Sequence, residues 1–186
     1  AGQKCTGRLM PGNHAFGNLL LVLALITMFL GALLALFSVD LKRTLACSSM
    51  SQIGFITVGL SMMVLLGEEG ALAAYGTVMH MVNHSLIKLV LFVAAGVVYK
   101  NLHQLNLNDI RGFGRKKPGL CFCYLMGALG IGGIPGWSGY VSKTLLHESI
   151  VEYIVLLEEG AWVFTALEWA FLFAGGLTFA YMLKLF

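Results

Sequence analysis

Three residues recur at a helical spacing in the middle of the chain, in the stretch His80-Met-Val-Asn83-His84-Ser-Leu-Ile-Lys88. A fourth, Lys143, stands in an apolar stretch further on. A spacing of four places His80, His84 and Lys88 in one stripe along a helix, drifting about 40° per step. An ionisable side chain near the centre of a bilayer costs from about 2.5 kcal/mol upward, so such a stripe must face protein or water rather than lipid. Burial disfavours the charged form of an amine, and imidazole titrates near neutrality. Groups of this kind, about 6 Å apart along the helix, are what a proton relay through water requires. Other readings stand beside it. The histidines can serve as hydrogen bonds between helices while Lys88 snorkels towards an interface, although about ten apolar residues between Lys88 and Lys100 make a full snorkel difficult. An HxxxH pair can also ligate haem or a metal, but no carboxylate or Cys joins it on the same face.

The setting of these residues is a membrane. Of 186 residues, 58% are apolar and 11% charged, against about 25% charged in an average soluble domain. Mean hydropathy is +0.83. Twelve Lys and Arg against nine Asp and Glu leave a formal charge of +3, too small for a basic nucleic-acid binder. A disordered chain is excluded by the same figures, and a water-soluble globule could not clothe its surface with so few charges. The twenty-three glycines agree, since they let membrane helices approach closely or break. The expectation is a multi-pass, all-α membrane protein, sited in a prokaryotic cell membrane, with no nucleic-acid partner.

A bilayer core needs roughly 20 apolar residues per helix. Five stretches supply them: about Phe16–Val39, Thr44–Leu66, Ala71–Tyr99, Pro118 into the 140s, and Ala161–Phe186. None alternates with period 2, so no strand competes. This divides the chain into a segment outside the membrane over 1–15 and one transmembrane domain over 16–186. Lys42 and Arg43 separate the first two stretches, and Lys100, Arg111, Arg115, Lys116 and Lys117 the third and fourth. The opposite linkers carry Glu68, Glu69, Glu148, Glu152, Glu158 and Glu159. The positive-inside rule then turns the basic linkers inward; Lys4 and Arg8 run against it.

The fourth stretch contains Gly130-Ile-Gly132-Gly133-Ile-Pro135-Gly136-Trp-Ser138-Gly139-Tyr-Val-Ser142-Lys143. Such a density of glycine with a proline cannot be one uninterrupted helix. A broken helix is tolerated at membrane depth where it lines a cavity, and its dipole ends make ion sites. A re-entrant turn, or a loop between two short helices, is the plainer alternative. Ser48, Ser49, Ser51 and Gln52 at the start of the second stretch either hold water or bond neighbouring helices. Glu168 falls in the fifth stretch, close to the outer interface. Cys5, Cys47, Cys121 and Cys123 lack CxxC spacing, and free buried thiols are expected rather than disulfides or metal ligands. No cleavable signal peptide is visible, and the chain opens on Ala1 rather than Met, as a fragment would.

Three segments together resemble a known family. Asp40-Leu-Lys42-Arg43-Thr-Leu-Ala46-Cys47-Ser48-Ser49-Met-Ser51-Gln52-Ile-Gly54 resembles a helix-start motif of the antiporter-like subunits of complex I. Their relatives, the large subunits of Mrp-type antiporters and the membrane subunits of energy-converting hydrogenases, share it. His80…His84…Lys88-Leu-Val-Leu-Phe92-Val-Ala-Ala-Gly96 is similar to that family's polar helix. Gly133-Ile-Pro135-Gly136-Trp-Ser-Gly139-Tyr-Val-Ser142-Lys143 is similar to its discontinuous helix with a lysine after the break. Two departures are Cys47, where an aromatic is usual, and Gly136, in place of a frequent second proline. The resemblance implies a fold of two inverted five-helix repeats, each with one broken helix, of which this chain looks like the second. It also implies that Lys143 serves the outer half-channel, with Lys88 and His84 on the central hydrophilic axis and His80 beside them.

The functional expectation is a proton-translocating membrane subunit of a redox-driven pump, of NADH:quinone oxidoreductase or membrane-bound hydrogenase type. Its relay residues would be Lys143, Lys88, His84 and His80, with Glu168, Ser48, Ser49 and Gln52 as possible accessories. It would hold no metal or cofactor of its own and work with a hydrophilic redox module. Two alternatives are an Mrp-type sodium/proton antiporter working with small antiporter subunits, and a haem-bearing membrane anchor using His80 or His84 as axial ligand.

Overall fold

The computed structural model describes residues 11–157 and 161–185. Lys4, Cys5, Arg8, Glu158 and Glu159 lie outside the described residues. Among the described residues seven α-helices follow one another: α1 (Pro11–Phe37), α2 (Leu41–Leu66), α3 (Ala71–Leu102), the short α4 (Phe113–Lys116), α5 (Pro118–Gly132), α6 (Ser138–Leu156) and α7 (Ala161–Lys184). By length and composition α1, α2, α3 and α7 can each cross a membrane, and α5 is a shorter apolar helix. All five apolar stretches are therefore helical, the fourth as the pair α5 and α6.

Local chemistry sets the ends. Asp40 caps α2, its carboxylate accepting from Arg43 N at 2.8 Å. Pro118 opens α5, where its missing N–H costs nothing. His103 closes α3 in the left-handed region, φ 54°, its N–H donating to Tyr99 O. At the same end the α1–α2 turn pairs with the chain after α3, through Leu41 N to Leu105 O and Leu107 N to Val39 O, both 2.9 Å. The two basic linkers thus share one end of the bundle, called the inner end below. Lys184, in the last turn of α7, reaches back to it and donates to Leu36 O and Ser38 O at the C-terminus of α1. Cationic capping of terminal carbonyls joins the last helix to the first.

The break between α5 and α6 spans five residues, with Gly133 at φ 79° and Gly136 at φ 91°, both costly for any residue with a Cβ. A Cβ on Gly139 would fall 1.9 Å from Gly130 O, so the first turn of α6 passes directly against the last turn of α5. The second half-helix is longer than the sequence suggested. Glu148 and Glu152, read as linker residues, lie on α6, because Leu146, Ile150 and Tyr153 keep burying a helical face as far as Leu156. The thiols also differ from expectation. Cys47, Cys121 and Cys123 are free, but Cys47 and Cys121 are half-buried and Cys123 is exposed. Their helix positions turn outward, and an apolar medium takes a thiol as readily as a core does.

Two apolar clusters fill the bundle. One, towards the outer end, gathers Met28, Phe55, Val58, Leu146 and Phe171. The other, towards the inner end, gathers Leu45, Leu91, Tyr124, Ile131 and Tyr181. Between them, by position along α2, α3, α6 and α7, lie the buried polar residues Ser48, Ser51, Gln52, His80, Lys88, Ser142, Lys143 and Thr178. The outside of the bundle is apolar, as Leu19 and Ile26 on α1, Leu86 and Leu89 on α3, and Trp169 and Phe173 on α7 are all exposed. In water that surface would be untenable; in lipid it is ordinary.

Helices α1 and α2 meet across glycine. A Cβ on Gly54 would fall 2.6 Å from Met28 Cα, inside van der Waals contact with backbone. Gly54→Ala is expected to cost about 1–3 kcal/mol of stability by forcing the two helices apart. Gly96→Ala, whose Cβ meets nothing within 4 Å, should be close to neutral. Thermal melting of the two variants in detergent checks the difference.

Candidate functional site

The polar layer begins at Lys88. Its side chain is buried and donates to Leu45 O at 3.0 Å and to Ser48 Oγ, both on α2. Ser48 Oγ itself bonds Leu45 O at 2.8 Å. Lys88 therefore ends on neutral dipoles inside the bundle rather than extending along α3 to an interface. One turn further along α2, Gln52 is fully buried and organises the centre. Its amide nitrogen donates to Thr178 Oγ1 and Tyr181 OH on α7, both at 3.2 Å. Its carbonyl oxygen accepts from His80 Nε2 at 3.1 Å.

The other nitrogen of His80, Nδ1, lies 2.9 Å from Ser142 Oγ on α6. That hydroxyl also reaches Gly139 O at 3.2 Å. A serine hydroxyl both donates and accepts. It can donate to Nδ1 of a neutral ring, or turn to Gly139 O and accept from an imidazolium. The seat suits His80 in either protonation state. Both ring nitrogens of His80 are thus engaged by protein groups.

Lys143 follows Ser142 and lies across the break. Its ammonium donates to Ile131 O at 3.1 Å and sits 4.8 Å from the centroid of the Phe55 ring. Ile131 is next to last in α5, so its carbonyl is one of the four that a helix end leaves unpaired. The negative end of the half-helix dipole and the face of an aromatic ring therefore hold the charge. Gly133 makes room, since a Cβ there would press on Lys143 Cδ at 3.2 Å. Asn83 Nδ2 fastens α3 to the start of α6 through Ser138 O, 3.0 Å away.

His84 lies between His80 and Lys88 on α3, half-buried, and its Nε2 has no hydrogen-bond partner among the described residues. Ser51 Oγ is similarly buried and unpartnered. Ser49 stands apart, bonding Leu45 O of its own helix at 3.1 Å. Glu168 is half-buried on α7 and lies 2.9 Å from His147 Nε2. Among the described residues, the ion pairs are those of His147 with Glu168 and with Glu148, so neither lysine is matched by a carboxylate.

Four participants escape sequence reading, Thr178 among them. Ser142 and Tyr181 carry no charge and resemble ordinary helix residues until helix packing turns them inward. His147 had a signal, four residues after Lys143 and hence on the same face of α6. The two lysines and two histidines named from the sequence do converge on one layer, together with Ser48 and Gln52. Glu168 is reached through His147, and Ser49 is not part of it.

A helical bundle with an apolar exterior, one discontinuous helix and lysines seated at mid-bundle defines a multi-pass membrane protein of the broken-helix kind. The chain belongs to the family described as NADH:quinone oxidoreductase/Mrp antiporter, TM, whose model matches residues 7–168. The resemblance carried by the three motifs is thereby confirmed. The chain is 33% identical over 149 residues to NAD(P)H-quinone oxidoreductase chain 4 of Prochlorococcus marinus, covering 80% of this chain and 26% of that protein. It is 34% identical over 162 residues to formate hydrogenlyase subunit 3 of Escherichia coli, covering 83% and 26%. Among solved structures it is similar to a chain in the Mrp complex from Dietzia sp., with TM-score 0.77 and 28% identity, covering 91% of this chain and 18% of that one. The chain spans about a quarter of the length of these curated relatives.

Removing the hub of the layer should be costly. Gln52→Leu leaves His80 Nε2 without its acceptor and Tyr181 OH and Thr178 Oγ1 without their donor. An expected loss of about 1–3 kcal/mol per orphaned group should lower the melting temperature well below that of Ser49→Ala, which touches one bond within a helix.

Proposed function

We propose that this chain is the relay-bearing part of a proton-translocating membrane subunit in a redox-driven pump, of the quinone-reductase or membrane-bound hydrogenase type. The single observation that carries the reading is the seating of Lys88 and Lys143 on neutral dipoles, in the same polar layer as the hydrogen-bonded run Gln52–His80–Ser142. An ion pair would pin an ammonium in its charged form. A carbonyl, a hydroxyl or an aromatic face favours the ammonium less strongly than a carboxylate does and still offers the neutral amine an acceptor. Lys88, His84, His80 and Lys143 are the relay residues in this reading, with Ser48 and Gln52 as the links and Glu168 at the outer side. Conformational or electrostatic change in a partner redox module, carrying the electron transfer, would alter the field at the lysines and move protons stepwise along water. The kinship to a quinone-oxidoreductase chain and a formate hydrogenlyase subunit supports that partner.

A second reading has its own support in the likeness to a chain of the Mrp complex. There the same residues exchange sodium for protons with small antiporter subunits and no electron donor. Proton movement driven by an imposed sodium gradient, without donor, would favour this reading.

Lys143→Ala and Lys88→Met, each in the complete complex reconstituted in vesicles, should lower proton translocation per turnover by roughly tenfold or more. Electron transfer rates and assembly read alongside show that the complex is intact. Near-normal stoichiometry in both variants would overturn the relay.

A further inference from the structure

Beyond Lys143 the α5–α6 break opens into a cavity of about 550 Å³. It is lined by Gly133, Pro135, Tyr140, Thr144 and Phe171, and by the polar ends of Lys143, His147 and Glu148. At about 30 Å³ per water in the liquid, that space admits a file of several molecules. Lys143 and His147 are one turn apart on α6, about 6 Å along its axis, with His147 on the outer side. The two ring nitrogens of His147 face different surroundings. Nε2 is held 2.9 Å from Oε1 of the half-buried Glu168. Nδ1 faces Oε1 of Glu148 at 3.9 Å, beyond hydrogen-bond reach, and the Glu148 side chain is 54% exposed. One nitrogen is thus anchored and the other is left to exchange with water at the mouth of the cavity.

We propose that His147, anchored by Glu168, is the proton-transfer residue between Lys143 and the outer mouth of this cavity. The inference rests on the relay reading of Lys143. In the outward step, an N–H bond of the Lys143 ammonium breaks and, through cavity water, an N–H bond forms at His147 Nδ1. The Glu168 carboxylate balances the imidazolium charge. The Nδ1–H bond then breaks to water beside Glu148, and both side chains return to neutral bases. No electrons change hands. The charged or titratable groups facing His147 are Glu168 from α7 and Lys143, Glu148 and Tyr140 on or beside its own helix.

A structural role is the rival, since the same bond ties α6 to α7. His147→Gln separates the two, as the glutamine amide can keep the bond to Glu168 but cannot carry a proton in the neutral range. In the complete complex in vesicles, His147→Gln is expected to assemble, to pump roughly tenfold more slowly, and to change the shape of the pH profile of pumping. A small permeant buffer such as imidazole should restore part of the rate. Pumping at the parent rate with an unchanged pH profile overturns the proposal. So does slow pumping with an unchanged profile and no buffer rescue, which assigns the bond to structure. Should His147→Gln fail to assemble, Glu168→Gln reads the same pathway, since it keeps the hydrogen bond and removes the balancing charge. An altered pH profile there supports the proposal, and an unchanged one overturns it. Lys143→Ala run in parallel separates the readings: if it still pumps, the relay itself fails, whereas loss there with no effect at His147 sinks the exit alone.

Discussion

An ammonium ion held inside an apolar bundle must find compensation, and among the described residues none comes from a carboxylate. Lys143 can occupy its place because a helix was interrupted beside it. The break exposes the carbonyl end of α5, and the aromatic face of Phe55 lies opposite. Without the interruption those carbonyls would be spent on the next turn of helix, and the lysine would face an isolated-charge cost of many kcal/mol. Lys88 uses a milder version of the same device, a serine hydroxyl and the carbonyl behind it. Much of the arrangement of α5 and α6 follows from this requirement, including the glycines at which the half-helices touch.

The polar layer is stable because it is thin. Apolar clusters on either side of it fix how α2, α3, α6 and α7 approach, so Gln52 and His80 meet their partners without searching. Each bond in the layer contributes about 1 kcal/mol net, whereas each orphaned group costs about 1–3 kcal/mol. His84 Nε2, between His80 and Lys88 on α3, has no partner among the described residues. A fully paired network would hold one protonation pattern and resist any other.

The resemblance to larger relatives gives this unit its context. A quinone-oxidoreductase chain, a formate hydrogenlyase subunit and a chain of an Mrp complex all share the fold, although their names attach it to different chemistry. Each matches four-fifths or more of this chain.

Helical spans, their basic linkers, the position of the break and the stripe from His80 to Lys88 were all legible in the sequence. Each depends on local spacing or on composition summed over a window, which the order of residues determines directly. Tertiary structure decided the partners. That Gln52 joins His80 to Tyr181, that Ser142 can turn between two acceptors, and that Lys184 caps α1 depend on which faces meet between residues 28 to 146 apart in the chain. Serine, tyrosine and glutamine have no spacing rule that marks them as functional, because their role comes from the direction in which packing points them. The reach of α6 to Leu156 was hidden for a related reason. Glu148 and Glu152 read as the end of a span, yet one helical face stayed apolar, and burial of that face outweighed the charges on the other.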